Sequence, residues 1–343
     1  MKKLATIEKI TKFEKHPNAD RLNLITVKGW ECVTASNYEV GDLVVYIQID
    51  TTVPKADWSE FLFDKGKPDQ TRARIKTIKL RGRVSQGLCL PVDVLGLKPD
   101  EPILESDDVT EELGIEKYQK PVPVQLSGEV VGNFPTHICP KTDEERIQNF
   151  PELIDEFKAL DCDVYVSVKM DGTSFSAIAY EEMNGLKNLS VCGRNWELKE
   201  TDGNTYWKMA HKYKLDEKMQ DLEVIQAEMI GPNIQKNPSG EAEVGLRVFN
   251  YGTGYGRKYF GLNEMRSFCE KNEIPMVPVI YEGKFKWNSM EELLEFADSV
   301  KYDNGKQAEG IVIRPVKEVH SELLGGRLSF KVISNEYAAK HGD

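Results

Sequence analysis

Apolar positions in the first third of the chain come in short runs. Residues 22–27, 43–49 and 87–92 each form one, separated by turn signals at Gly29, Asn37, Gly41-Asp42 and Gly82. Strands that short and regular over about 110 residues predict a small barrel or sandwich. Between residues 119 and 140 the pattern dissolves into Pro121, Pro123, Pro135 and Pro140 with Gly128 and Gly132. Proline removes backbone donors and glycine adds unfolded-state entropy, so this stretch is expected to be extended or looped. The expected division is a β-rich domain over residues 1–120, a linker over 121–140 and a second domain over 141–343.

Beyond the linker, helical and strand periods mix. Thr142-Asp143-Glu144-Glu145 has the spacing of a capping box, in which the Thr142 hydroxyl takes the Glu145 amide and the Glu145 carboxylate reaches back. It predicts a helix to about residue 160, re-set at Pro151. A second signature, Asn288 with Glu291, opens a predicted helix over 290–300 whose Met and Leu positions share a packing face. Strand candidates are 164–168, 173–180, 224–229, 246–251, 310–314 and 328–333. Strands with helices packed on them predict an α+β domain.

Composition narrows the classes. The 343 residues are 40% hydrophobic, enough for two cores, and the net charge of −11 excludes a wholly basic nucleic-acid coat without excluding a local basic groove. No stretch approaches the ~18 uninterrupted apolar residues of a membrane span. Glu8 and Lys9 cut short the apolar run after the basic start, so no signal peptide is expected. The six cysteines are widely spaced with no Cys-x-x-Cys, which argues against a zinc ribbon or a disulfide scaffold. A soluble cytoplasmic protein with no membrane and no obligate protein partner is the expectation.

One basic run stands out against this acidity. Arg72, Arg74, Lys76, Lys79, Arg81 and Arg83 put six positive charges in twelve residues, while residues 100–116 hold eight acids and no base. In an extended chain Arg72, Arg74 and Lys76 share one face and Lys79, Arg81 and Arg83 the other. Such segregation favours a phosphate-binding patch over a merely solvated edge strand. The string His16-Pro17-Asn18-Ala19-Asp20-Arg21-Leu22 resembles the opening loop of oligonucleotide-binding (OB) barrels of the tRNA-binding type.

The sharpest feature is Val164-Tyr165-Val166-Ser167-Val168-Lys169-Met170-Asp171-Gly172-Thr173-Ser174. Alternation puts Val164, Val166 and Val168 on one face of a strand and Tyr165, Ser167 and Lys169 on the other. Asp171-Gly172 reads as a tight hairpin reversal into 173–180. Lys-x-Asp-Gly arises by chance in about one in ten chains of this length, so it gains weight only from an ordered set of residues downstream. Arg194 comes after a strand, Glu228 lies inside an apolar strand, Phe249 sits among β-branched residues, Glu309 stands at a strand entrance and Lys331 inside the last strand. Singly, each fits a surface charge or a core aromatic. Several charges embedded in apolar strands are costly unless they share a polar site.

That ordered series resembles the covalent nucleotidyltransferase superfamily of ATP-dependent ligases and mRNA-capping enzymes. The resemblance implies an ATP-grasp-like ligase domain with antiparallel sheets, in which Lys169 attacks an α-phosphate and carries the nucleotide. It implies that Glu228 meets the ribose, Phe249 stacks on the base, and Arg194 and Lys331 contact phosphates. It adds Gly172 and Arg146 to the nucleotide-binding set, and has Asp171 and Glu309 hold Mg²⁺ or Mn²⁺ through water. One departure is plain: many members end in Lys-x-Lys, and here Ser329 takes the first of those places. An ammonium has no lone pair, so cations around Lys169 are expected to favour its neutral amine.

Domain order selects within the superfamily. Only 12 residues follow Lys331, whereas DNA ligases and capping enzymes generally place their barrel there. The strings 41–50, 82–88 and 141–149, with the β-rich module in front, resemble the fifth family of ATP-dependent RNA ligases. That family implies an N-terminal OB domain, a nicked RNA-containing duplex as partner, and sealing of a 3′-OH to a 5′-phosphate through lysyl-AMP and an adenylylated 5′ end, as in RNA repair. The alternatives are a capping-type guanylyltransferase and a non-catalytic OB-fold binding protein. Residues 251–258 mimic a phosphate-binding loop without its spacing and read as a turn. His16, His137, His211, His320 and His341 show no metal-ligand spacing and are expected mostly on the surface or in turns.

Overall fold

The computed structural model describes residues 3–63, 69–96, 102–118, 129–181, 187–254 and 258–341. The chain divides into a unit of Met1–Pro121 with Ala338–Asp343 and a unit of Val122–Tyr337. Residues 119–128 of the proline-rich stretch, including Pro121, Pro123 and Gly128, lie outside the described residues, as do Asp100 and Glu101 of the acidic segment.

The first unit is built from three-stranded antiparallel sheets. Leu43–Ile47 runs between Ala5–Lys9 and Leu88–Pro91, and Asn23–Val27 between Lys12–Lys15 and Trp30–Thr34. The strand Leu43–Ile47 reads as an unbroken apolar run because both of its faces are covered. Val45 and Ile47 join Ile7, Val53 and Ile75 in one cluster, while Val44 and Tyr46 join Ile25, Trp30 and Cys32 in another. A two-stranded hairpin, Ile78–Leu80 with Arg83–Ser85, turns on Arg81 and Gly82, both at positive φ. His16 is buried, a departure from the surface position expected of most histidines, although it does sit in a turn. Its Nδ1 accepts the Asn18 amide at 3.0 Å and its Nε2 lies 3.1 Å from the Leu80 carbonyl, while the Asn18 side chain donates to the Arg81 carbonyl. The His-Pro-Asn loop thus holds the tip of the hairpin.

The second unit contains two larger sheets. One has seven strands in the order Val130–Asn133, Trp196–Leu198, Lys187–Cys192, Thr173–Glu181, Glu223–Ile230, Gly245–Thr253 and Lys258–Tyr259. The other has five: Glu145–Arg146, Phe330–Ile333, Gly310–Pro315, Asp163–Lys169 and Val279–Lys284. All pairings in both are antiparallel except the short parallel contact of Glu145–Arg146 with Phe330–Ile333. In the five-stranded sheet Val164, Val166 and Val168 pack with Ile311, Ile313, Phe330 and the helices Leu153–Ala159 and Met290–Ser299. Tyr165 faces the other way, into a cluster with Phe175, Ile225 and Val248. The alternation read from the sequence holds. Gly245–Thr253 and Lys258–Tyr259 pair with each other, and residues 255–257 of the loop mimic lie outside the described residues.

Three local expectations are corrected. Lys169 to Thr173 is no hairpin: the strand ending at Lys169 belongs to the five-stranded sheet and the strand starting at Thr173 to the seven-stranded one, so residues 170–172 step from sheet to sheet. Thr142 opens no helix. Its hydroxyl lies 3.4 Å from Ser174 Oγ, Glu145–Arg146 is a strand, and the α-helix begins at Leu153, past Pro151. A helix cap contributes only about 1 kcal/mol, and the adjoining Glu144 is drawn instead to a buried guanidinium, that of Arg314. The second cap shifts by one residue: Ser289 Oγ accepts the Glu292 amide, while the Glu292 carboxylate accepts the Asn288 amide.

The step between sheets leaves no room at Gly172, where a Cβ would sit 2.4 Å from the Met229 carbonyl oxygen and 2.7 Å from Ile230. Gly172→Ala is expected to destabilise the protein by about 1–3 kcal/mol, because backbone must move to admit the methyl. Urea unfolding of the two proteins measures it.

Candidate active site

The site face of the five-stranded sheet is the one opposite the valines. Register puts Lys169 beside Gly310, Ser167 beside Val312, Val312 beside Lys331, and Tyr165 beside Arg314. Lys169 Nζ lies 2.7 Å from Oε1 of the buried Glu309, with the lysine side chain 25% exposed. Gly310 adopts φ +155°, and a Cβ there would come within 2.1 Å of the Val332 carbonyl oxygen, so glycine is required where the acid enters the strand. Asp171 follows on the step between sheets, its carboxylate accepting from the Tyr337 hydroxyl and its amide donating to Tyr302 Oη at 3.1 Å.

Glu228 enters from the seven-stranded sheet, paired in register with Ser174. Burial pushes its pKa up to about 8, against the pull of Lys169 and with the help of Glu309 and Asp171. Glu228 therefore holds its proton at neutral pH until a cation or hydrogen-bonding ligand arrives. Lys331 is the mirror case. Burial, with the nearby charges of Arg146 and Lys169, lowers its pKa to about 8. Arg146 is itself buried and paired in register with Lys331. Arriving phosphates would restore the full charge of that lysine.

Behind these residues lies a buried ionic network that the sequence pattern does not assign. Arg314 donates to Ser329 Oγ at 3.1 Å, to the Tyr165 hydroxyl at 3.4 Å, to the Phe249 carbonyl at 2.6 Å and to the Glu144 carboxylate. Ser329 donates in turn to Glu144. Burial raises the Glu144 pKa, but the charges of Arg314 and Arg327 outweigh it and hold the carboxyl down to about 2. Ser329 thus bridges the Arg314–Glu144 ion pair, accepting from one partner and donating to the other. Phe249, half-buried against the valine-side core, has its backbone fixed by the same guanidinium. Arg194 stands apart: it is 62% exposed and pairs with Asp143 at 2.7 Å. The signal for Arg314 was legible, a cation in an apolar strand; Tyr302 and Tyr337 carried none.

Among the described residues no three His, Cys, Asp or Glu side chains close on a point as direct metal ligands. Asp171 and Glu309, both hydrogen-bonded and set beside Lys169, offer hard oxygen donors that suit a hydrated Mg²⁺ or Mn²⁺ held through water.

The basic run of the first unit is divided by the fold. Arg72 donates to the Thr52 and Gly114 carbonyls and lies 3.3 Å from Glu116, Arg74 pairs with Asp50 at 2.6 Å over the Tyr118 ring, and Arg83 pairs with Glu31 at 2.5 Å. Lys76, Lys79 and Arg81 are exposed. The run is not one extended strand: Arg72–Ile75 ends before the hairpin begins, so the expected two-face arrangement does not form.

Family comparisons agree with this architecture. An RNA ligase family model matches residues 163–333, and an OB-fold domain model matches residues 4–92. The solved structure of Naegleria gruberi RNA ligase with PPi matches with a TM-score of 0.79 at 32% identity, covering 99% of each chain. The chain belongs to the RNA ligase family. A lysine-to-alanine mutant of the Naegleria ligase, solved with ATP and Mn, matches at TM-score 0.80 and 32% identity over 98% of this chain and 99% of that one. A lysine-to-methionine mutant with AMP and Mn matches at TM-score 0.80 and 32% identity over 99% of each. No curated protein matches the chain. The expected N-terminal OB fold followed by a ligase domain with antiparallel sheets is thus borne out.

Glu144→Ala in this RNA ligase strands the Arg314 charge and is expected to cost about 3–5 kcal/mol of stability at pH 7. The depressed carboxyl contributes stability above its ordinary pKa of 4.5 and loses it as pH falls through about 2. The gap between wild type and variant should narrow over that window, as read by unfolding at pH 7, 4.5, 3 and 2.

Proposed function

We propose that this RNA ligase is ATP-dependent and seals 3′-OH/5′-phosphate nicks in RNA-containing duplexes, with Lys169 as the nucleophile. The observation that carries the reading is the seating of Lys169: its amine lies 2.7 Å from Glu309, beside Asp171 and near Lys331, with Glu228 brought to it from the seven-stranded sheet. In the first step Lys169 gives up its ammonium proton, the amine forms a bond to the α-phosphorus of ATP as the bond to pyrophosphate breaks, and loss of a second proton from nitrogen leaves lysyl-AMP. The AMP then passes to a 5′-phosphate, and the neighbouring 3′-OH displaces it as the phosphodiester forms.

The chain's own residues divide this work. Phe249 stacks on adenine, and Glu228 takes a ribose hydroxyl. Lys331, Arg146 and Arg194 neutralise phosphate oxygens, and Gly172 lets the step between sheets approach them. A divalent cation at Asp171 and Glu309, held through water, would neutralise charge developing on the phosphates. Because burial and the neighbouring charges of Arg146 and Lys169 lower the pKa of Lys331, binding of the triphosphate is coupled to its protonation. Six free cysteines, five of them buried, support a reducing cytoplasmic setting, and no helix among the described residues is long and apolar enough to cross a membrane.

In the first unit Lys76, Lys79 and Arg81 contact the duplex, while Arg72, Arg74 and Arg83 hold the unit together. Their place around the Ile78–Leu80 hairpin, braced by His16 and Asn18, supports the assignment.

With Mg²⁺ and α-labelled ATP the protein is expected to acquire an acid-stable covalent label that is absent in Lys169→Ala. Label from GTP alone would point to a guanylyltransferase, and no label from either to a binding protein. Reversal of Lys76, Lys79 and Arg81 to Glu is expected to lower nick sealing at least about tenfold and to flatten its salt dependence by about 2–3 log–log units, leaving self-adenylylation within about twofold. Equal loss of both activities would end that division of labour.

A further inference from the structure

Tyr302 has no part in the three steps of sealing, yet its hydroxyl lies at the centre of the groups that carry them. It accepts the amide of Asp171 at 3.1 Å and the amide of Glu309 at 3.2 Å, and donates to the Lys169 carbonyl at 3.3 Å. A phenol has one proton and two lone pairs, so all of its hydrogen-bonding capacity is used. One atom therefore ties the end of the Lys169 strand, the step between sheets and the entrance of the Gly310–Pro315 strand. The ring is buried in the valine-side core, and the Tyr302 backbone closes a turn, its amide donating to the Lys306 carbonyl and its carbonyl accepting from Gly305.

Tyr337 makes the second tie. It lies on the final helix, Asn335–His341, buried, with its hydroxyl on the Asp171 carboxylate. Its amide donates to Ser334 Oγ at 3.1 Å, Ser334 Oγ donates to Asp298 at 2.7 Å, and the Ser334 amide donates to the Glu309 carbonyl at 3.0 Å. Asp171 and Glu309 are thus linked twice, once through Tyr302 and once through Tyr337 and Ser334. A phenol's ordinary pKa of about 10 keeps both hydroxyls protonated at neutral pH.

We propose that Tyr302 and Tyr337 are positioning residues for lysine adenylylation, Tyr302 fixing Lys169, Asp171 and Glu309 relative to one another and Tyr337 fixing the Asp171 carboxylate. This rests on Lys169 being the nucleophile. Neither phenol touches the nucleotide in this assignment. Their effect is geometric, and displacement of a reacting group by about 1 Å can cost about a hundredfold in rate.

Tyr302→Phe and Tyr337→Phe remove only the hydroxyls. Each is expected to lower the single-turnover rate of self-adenylylation by about 10–100-fold at saturating ATP, with half-saturation by ATP moved less than about threefold. Melting temperature and circular dichroism establish that each variant is folded. Without nucleotide, the Asp171 and Glu309 amides of Tyr302→Phe should exchange hydrogen faster than in wild type, and those of Tyr337→Phe should not at Glu309. Full adenylylation rate in a folded Tyr302→Phe, or a loss that saturating ATP restores, overturns the role of Tyr302. If Tyr302→Phe does not fold, the rate of Tyr337→Phe decides: a wild-type rate there overturns the proposal. Absence of a Lys169-dependent label in wild type is a separate failure, that of the nucleophile assignment, and the exchange measurement still reports on the ties.

Discussion

An ammonium and a carboxylate held 2.7 Å apart at the step between two sheets form the contact around which the second unit is arranged. Charge at such a place is expensive unless it is paired and hydrogen-bonded, and much of the local architecture answers that requirement. Gly310 brings Glu309 in against the neighbouring strand, and Gly172 lets the step that carries Asp171 pass close to the Met229 carbonyl. Tyr302 takes the amides that these approaches would otherwise bury without a partner. The opposing shifts of Glu228 and Lys331, both to about 8, show the site resting close to a change of protonation on each side. A ligand that brings phosphates to Lys331 and hydroxyls or a cation to the carboxylates relieves both at once.

The departure from Lys-x-Lys has a physical setting. Ser329 lies against a guanidinium and a carboxylate, Arg314 and Glu144, that are already buried together. A lysine at this position would set a second cation beside Arg314, with Glu144 as the shared anion. Serine instead supplies an acceptor to one partner and a donor to the other, and so completes the pair without adding charge. The same guanidinium fixes the Phe249 carbonyl, which makes the network a support for the aromatic ring as well as a solution to buried charge.

In the first unit the fold separates six cations that the sequence presents as one group. Arg72, Arg74 and Arg83 are arginines, and each is used where a planar fork can meet a carbonyl or carboxylate. Like charges packed in sequence are tolerated because Glu116, Asp50 and Glu31 come from distant positions to meet them. Lys76, Lys79 and Arg81, in and just before the hairpin, stay exposed.

Much of this was legible in the chain alone. Period-two alternation put Lys169 on the face opposite the valines, and charges embedded in apolar strands marked Glu228, Glu309 and Lys331 as members of one polar site, because an unpaired charge among apolar neighbours is too costly to be incidental. Short runs with turn residues gave the β-rich first unit. Local patterns failed where a distant partner outweighed a nearby one: the Thr142–Glu145 helix cap did not form while the adjoining Glu144 went to Arg314, and Asp171-Gly172 became a step between sheets because the strands on its two sides found different neighbours. Tyr302 and Tyr337 were invisible beforehand, since nothing in a tyrosine's sequence neighbourhood states which amide or carboxylate its hydroxyl will meet. Sequence alone determined which residues carry charge and which face of a strand each takes, because alternation and burial cost are local. Only the tertiary structure decided which charges neutralise each other and which stay available, because that depends on groups brought together from between 24 and 170 residues apart.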